Sequence, residues 1–379
     1  MKRVFFSLAL LSLLAVSCKE KVQESTLTKS GLDPERFVAQ VGDVTTGLYT
    51  LTNRSGMEVC ITNFGGRIVS IMAPGKDSVM HDVVLGFDNI EDYMNVPSDF
   101  GATIGRYANR IAHGEFTLDG KKYTLPQNNN GHTLHGGPQG WQYRAFKVED
   151  VSANSLQLSY VSEDGEMGFP GQVKVYVFFT LTDRNSLVID YLARTSAPTV
   201  INMTNHSYFN LSGDPTRPVT DHFLYLNADA TTPVDEWLIP TGETVRVAGT
   251  PFDFTTAKTI GQDIEADNGQ ICFGRGYDHN WILNTGGKAG ELAASLMSPS
   301  SGIVVEVYTT EPGIQVYTGN FLDGTVTGKN GTAYQHRTAV CLETQHYPDS
   351  PNKADFPSTV LRPGDKFEST TVYKFYVVQ

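Results

Sequence analysis

Positive charge is scarce in this 379-residue chain: 29 Lys and Arg stand against 41 Asp and Glu, a formal net charge of −12. A nucleic-acid binder neutralises phosphates with clustered basic side chains, so nucleic acid is excluded as a partner. Cysteine is equally sparse, four in all, which rules out a disulfide scaffold. With 36 glycines and 18 prolines, the chain is neither low-complexity nor collagen-like. Long apolar runs are missing too. Residues 4–16 form the main one, with two serines as its only polar members, and it falls short of the roughly 20 residues that a spanning helix needs. No window carries the period of a long amphipathic helix. The chain also lacks a Walker loop, a dinucleotide-binding glycine motif, a Gly-x-Ser-x-Gly elbow and a His-Glu-x-x-His zinc helix.

What is present begins with an address. Lys2 and Arg3 precede the apolar run, and Ser17-Cys18 and the charged Lys19-Glu20-Lys21 follow it. This is the layout of a secretory signal. Leu14-Ala15-Val16-Ser17-Cys18 resembles a bacterial lipoprotein box, with Ala15 where leucine is usual. The expectation is a signal peptide over 1–17, lipidation at Cys18, a polar tether over 18–36 and one folded domain over 37–379. The protein would then be an extracytoplasmic lipoprotein of the periplasm or cell envelope, held at the membrane through Cys18, and a monomer. Cys60, Cys272 and Cys341 lie in apolar contexts and read as buried free thiols.

After the tether, strand follows strand. Glu115-Phe116-Thr117-Leu118 and Lys122-Tyr123-Thr124-Leu125 flank Asp119-Gly120, a tight-turn pair. Residues 173–182 and 187–193 form a second hairpin around Asp183-Arg184-Asn185. Residues 303–309, 338–342 and 370–378 add β-branched and aromatic runs. Short helices are expected near 89–95 and 260–266. The fold class is all-β, a single large antiparallel sandwich.

Six polar clusters interrupt this pattern. They are Ile104-Gly105-Arg106-Tyr107-Ala108-Asn109-Arg110-Ile111, His132-Thr133-Leu134-His135-Gly136-Gly137, Asn202-Met203-Thr204-Asn205-His206-Ser207-Tyr208-Phe209-Asn210-Leu211, Gly276-Tyr277-Asp278-His279-Asn280-Trp281, Glu311-Pro312-Gly313-Ile314-Gln315-Val316-Tyr317-Thr318-Gly319-Asn320 and Cys341-Leu342-Glu343-Thr344-Gln345-His346-Tyr347-Pro348. A buried polar group without a partner costs about 1–3 kcal/mol, so these residues must pair with one another or face a ligand. Amides, imidazoles and carboxylates beside aromatic rings suit a sugar, with its many hydroxyls and apolar ring faces. His132-x-x-His135 is half of a metal site that no neighbouring Cys or carboxylate pair completes, so no metal ligand is assigned.

These motifs resemble those of the aldose 1-epimerase (galactose mutarotase) family, in family order from about residue 45 to the C-terminus. The resemblance implies a large β-sandwich with sugar bound in an open cleft, and an isomerase that interconverts α and β anomers of aldohexoses. Carried over motif by motif, it implies Glu343 as the catalytic base, His206 as the catalytic acid and His135 as a second active-site imidazole. It implies Asn109, Arg110, Asp278 and Gln315 as ligands of sugar hydroxyls. Trp141, Trp281 and Tyr208 are candidates for a platform under the ring. Proton transfer needs no redox cofactor or metal. A bound Ca²⁺ is left open, although no EF-hand loop marks one. If both groups titrate in range, the pH dependence should be bell-shaped, with its acid limb set by Glu343 and its basic limb by His206. Two other classes fit some of the residues: a glycoside hydrolase using Asp278 and Glu343 as a carboxyl pair, and a noncatalytic sugar-binding lipoprotein.

Overall fold

The computed structural model describes residues 27–379; the signal segment and Cys18 lie outside the described residues. Strand alternation builds most of what is there. Val173–Leu181 reads VKVYVFFTL and buries every second side chain, because successive side chains of a strand point to opposite faces. It pairs antiparallel with Ser186–Thr195. The turn between them places Asn185 at φ 58°, a left-handed conformation that Asn tolerates better than most residues. The hairpin of Glu115–Leu118 and Lys121–Thr124 turns through Asp119 and Gly120, both at positive φ. That is the geometry of the type I′ turn expected from Asp-Gly.

Two antiparallel sheets dominate. One has nine strands, with Ser186–Thr195, Phe367–Val377 and Ile303–Thr309 at its middle. The other has six and carries Val340–Gln345, Gly313–Tyr317 and Asp278–Ile282 side by side. A four-stranded sheet over residues 48–82 adds a further wall. Val340–Gln345 is buried on both faces. Val340 and Leu342 join the main core cluster, and Tyr373 of the nine-stranded sheet donates its hydroxyl to the Leu342 carbonyl at 3.0 Å. Cys341, Glu343 and Gln345 therefore face the other way.

Several expectations need correction. The helix near 89–95 is present as Ile90–Asn95, capped by Asn89. The one near 260–266 is only a 3₁₀ turn, Ile260–Gln262. The α-helix of that region is Gly269–Gly274, whose Asn268 cap the sequence reading passed over. The described part of the supposed tether is not free. Leu32 and Phe37 are buried in a second core cluster with Tyr208 and Cys341, and the Lys29 N–H donates to Glu58 at 2.7 Å. Packing thus begins before residue 37, because two apolar side chains in a polar stretch are enough to dock it. Cys60 and Cys341 are buried thiols, but Cys272 is exposed; it lies on the outer face of the short helix, where an apolar sequence context does not guarantee cover.

Candidate active site

Register places the first group of site residues. Gln315 stands opposite Glu343 on one side and Asn280 on the other, and Asp278 lies opposite Tyr317. Because the side-chain period is two, Asp278, Gln315 and Glu343 all emerge on the face turned away from the main core. Gln315 Nε2 donates to Asp278 Oδ1 at 2.7 Å. A second group arrives from separate segments. Thr204–His206 pairs with Ala102–Ile104. Arg110 pairs with Leu134 across a two-residue ladder, which sets Asn109 beside His135. The His135 N–H donates to the Asn109 carbonyl at 3.0 Å, and the Asn109 N–H donates to His135 Nδ1 at 3.1 Å. Both residues take positive φ, so local strain is spent on holding one imidazole in a single orientation.

All but one of the predicted site residues within the fold line a single cavity of about 380 Å³: Asn109, Arg110, His135, His206, Asp278 and Glu343. Gln315 is the exception; its Nε2 is hydrogen-bonded to Asp278. His206 Nε2 lies 3.5 Å from Glu343 Oε1, and these two side chains come from motifs in different sheets. The Arg110 guanidinium faces Asp278 at 3.9 Å, so Arg110 forms its ion pair with Asp278 and not with Glu343. Glu343 Oε2, His206 Nδ1 and Gln315 Oε1 are buried without a protein hydrogen-bond partner. Leaving such atoms unmet is costly, and the hydroxyls of a sugar are suitable partners.

Burial dominates the electrostatics. Glu343 is 2% exposed and His206 4%. Desolvation pushes the Glu343 carboxyl well above its usual range, with Asp278 and Asp99 adding to the rise and Arg110 opposing it. Desolvation lowers His206, while Asp99 and Asp278 partly restore it. His135 is pushed down to about 3 by burial. Its Nδ1 already accepts a hydrogen bond, so the neutral ring carries its proton on Nε2 and serves as a fixed donor. Burial therefore moves the two groups toward each other, the carboxyl up and the imidazole down.

Some singled-out residues do other work. Arg106 is buried and holds the carbonyls of Pro170, Gly171 and Ser162. Asn205 and Asn210 bind loop carbonyls. His346 pairs with Glu311 at 2.6 Å. Trp141 and Trp281 are 1% and 0% exposed and belong to the core, so neither is a platform under a sugar; their size makes them fillers between layers. Tyr208 does line the cavity, and it stacks on His206 with ring centroids 5.0 Å apart. The sequence reading missed Asp99, Asn129, Leu238 and Phe321 as cavity residues. None stands in a polar cluster, and only the tertiary fold brings them in.

Among the described residues, one group of three potential metal ligands converges: Asp99, His135 and His206, with ligand atoms within 4.8 Å of one another. It does not fit a metal. His135 Nδ1 is occupied by the Asn109 N–H, and Nε2 carries the proton, so the ring offers no free lone pair. His132 Nδ1 is likewise used, by the His113 N–H at 2.9 Å, which removes the His-x-x-His motif from consideration.

Comparison with known proteins agrees with this geometry. Galactose mutarotase of Bos taurus is 45% identical over 321 residues, covering 85% of this chain and 92% of the relative. Aldose 1-epimerase of Escherichia coli K12 is 38% identical over 330 residues, covering 86% and 94%. Among solved structures, a GalM/aldose epimerase homologue from C. elegans superposes with a TM-score of 0.82 at 33% identity, covering 88% of this chain and all of that one. Galactose 1-epimerase of Lactobacillus acidophilus gives 0.79 at 28% identity, covering 90% and 97%. Residues 47–374 match the aldose 1-epimerase family: the chain belongs to that family and is an isomerase that interconverts the anomers of aldoses.

Proposed function

We propose that Glu343 and His206 carry the two proton transfers by which this isomerase opens and recloses an aldose ring. Glu343 takes the proton from O1, the C1–O5 bond breaks with its electron pair going to O5, and His206 delivers a proton to O5. The open aldehyde rotates about C1–C2 and recloses from its other face, with both protons returned. The observation that carries this reading is the 3.5 Å approach of His206 Nε2 and Glu343 Oε1 inside one polar cavity. Burial alone would leave the pair neutral. Asp278 and Asp99 favour the imidazolium and oppose the ionised carboxylate, which Arg110 supports; the proton held by the pair is therefore shared between two groups that burial brings closer in affinity. A positioned acid or base contributes about 10²–10⁴-fold.

His135 holds a sugar oxygen through its fixed Nε2–H. Asp278 accepts from hydroxyls, and Asn109 and Arg110 donate to them. Gln315 orients Asp278. The transfers use no metal or organic cofactor. The hydrolase alternative is not favoured: both Asp278 oxygens already face Gln315 or Arg110, so Asp278 is a binding acceptor. The substrate is an aldohexose of the glucose or galactose type; the relatives are named for galactose and for aldoses. Polarimetry on fresh α-D-glucose and α-D-galactose tests the reading. The purified protein should accelerate the approach to anomeric equilibrium, whereas an unchanged rate with both sugars would refute it.

The same proposal places the enzyme outside the cytoplasm as a monomer anchored through lipid on Cys18. The basic start, the apolar run and the lipoprotein-like box support this placement. Cys18→Ala should leave the protein unprocessed or shift it out of the membrane fraction, and unaltered processing and membrane association would overturn the anchor. Size-exclusion chromatography of the mature protein checks the monomer.

A further inference from the structure

Asp99 is the one carboxylate in the cavity to which the reaction assigns no task. It lines the sugar cavity with Glu343 and His206, and one of its oxygens is buried without a protein partner. Its carboxylate lies within 4.8 Å of a ring nitrogen of both His135 and His206. It also borders a neighbouring cavity of about 490 Å³, sharing that wall with Leu134 and His135. Asp99 therefore stands at the lip between the two spaces, on the imidazole side of the site.

That side has a chemical meaning. If His206 addresses O5, the exocyclic C6 group lies on the same side of the ring, two bonds from O5. Glu343, which addresses O1, lies at the anomeric end. We propose that Asp99 sets selectivity at C6: its carboxylate turns away aldoses carrying an anionic group there, such as hexuronates, and admits those with a neutral substituent. This rests on the assignment of Glu343 to O1 and His206 to O5.

The charge balance supports it. Three carboxylates line the cavity, Asp99, Asp278 and Glu343, against one permanent cation, Arg110. Arg110 is committed to Asp278. His135 is neutral at working pH, and His206 must give its proton to O5. Among the cavity-lining residues no cation remains to receive an anion at C6; the Arg67 guanidinium lies behind the wall, bound to the carbonyls of Ser98, Phe100 and Gln142. The charge of Asp99 is felt throughout the site, since it raises the proton affinity of His135, His206 and Glu343 alike. Like charges brought within a few ångströms of each other repel, and rejection by a like charge is a common source of specificity.

The test compares glucose, glucuronate and the neutral isostere glucuronamide, with anomer exchange followed by NMR in the mature protein. Wild type should process glucuronamide at least tenfold more efficiently than glucuronate in kcat/KM. Asp99→Asn should shrink that ratio about tenfold, with the gain falling on glucuronate. Equal efficiency on the two isosteres in wild type would overturn the proposal without any variant, as would an unchanged ratio in a folded Asp99→Asn or Asp99→Ala protein. A merely structural role would lower all three sugars together and leave the ratio fixed. Failure of wild type on glucose itself would instead count against the proton-transfer assignment beneath it.

Discussion

Replacing Glu343 with glutamine removes one proton acceptor and almost nothing else. The side chain is 2% exposed, sits on the fully buried strand Val340–Gln345 and keeps its shape as an amide. Its Oε1 faces His206 Nε2 at 3.5 Å and its Oε2 has no protein partner, so no ion pair to a permanent cation is lost. Glutamine stays neutral where glutamate must ionise in a desolvated site, so folding stability should change by less than about 1 kcal/mol. The chemical step should lose a full general base, about 10²–10⁴-fold in kcat, which is roughly 3–5 kcal/mol of transition-state stabilisation. KM should move little, because hydroxyl contacts through Asp278 and Arg110 remain. His206→Asn should act likewise at O5. The double variant should lose less than the product of the single losses, since residues acting as a unit are not additive. The assay is polarimetric mutarotation on the purified variants, with thermal denaturation run in parallel. A folded Glu343→Gln protein retaining more than about a third of wild-type kcat would refute the catalytic assignment.

Other expectations follow from neighbouring observations. Asp278→Ala removes the acceptor held by Gln315 and Arg110 and should raise KM more than it lowers kcat; steady-state kinetics identical to wild type would take Asp278 out of the binding site. The pH profile of kcat/KM should be bell-shaped and belong to the Glu343–His206 pair as a unit. The pair holds a carboxyl raised above the ordinary glutamate value and an imidazole held below the ordinary histidine value; limbs at the ordinary values of both groups would contradict this. Two imidazoles, His135 and His279, are each pushed down to about 3 by burial. Below an unfolded-state pKa of about 6.5 the unfolded chain takes up protons that the folded chain refuses. Stability is therefore intact above that value and is lost as pH falls toward 3, by roughly 2 kcal/mol per imidazole at pH 5. Denaturant melts at pH 7 and pH 5 measure the difference, and equal values would show that these rings are not held neutral. At Gly105 an added Cβ would fall inside the Trp141 ring, so Gly105→Ala should cost about 1–3 kcal/mol, read as a drop in melting temperature.

Much of the fold was legible in the residues because strands announce themselves locally. The alternation in Val173–Leu181 and the Asp119-Gly120 turn each act over a few positions, and the polar motifs stood out because they broke that alternation. The residue types at the site were legible for the same reason. Their convergence was not. Glu343 and His206 lie on strands in different sheets, and only the assembled sandwich brings them to 3.5 Å. Burial is equally a property of the whole. The sequence named Trp141 and Trp281 as platforms, yet layer packing consumed both. It left Asp99 unremarked between Ser98 and Phe100, where nothing local marks it, until two cavities met at its carboxylate. Protonation was decided last and by the same means. A glutamate and a histidine carry ordinary affinities in an extended chain, and it is removal from water, together with the charges that folding sets around them, that drives one up and the other down.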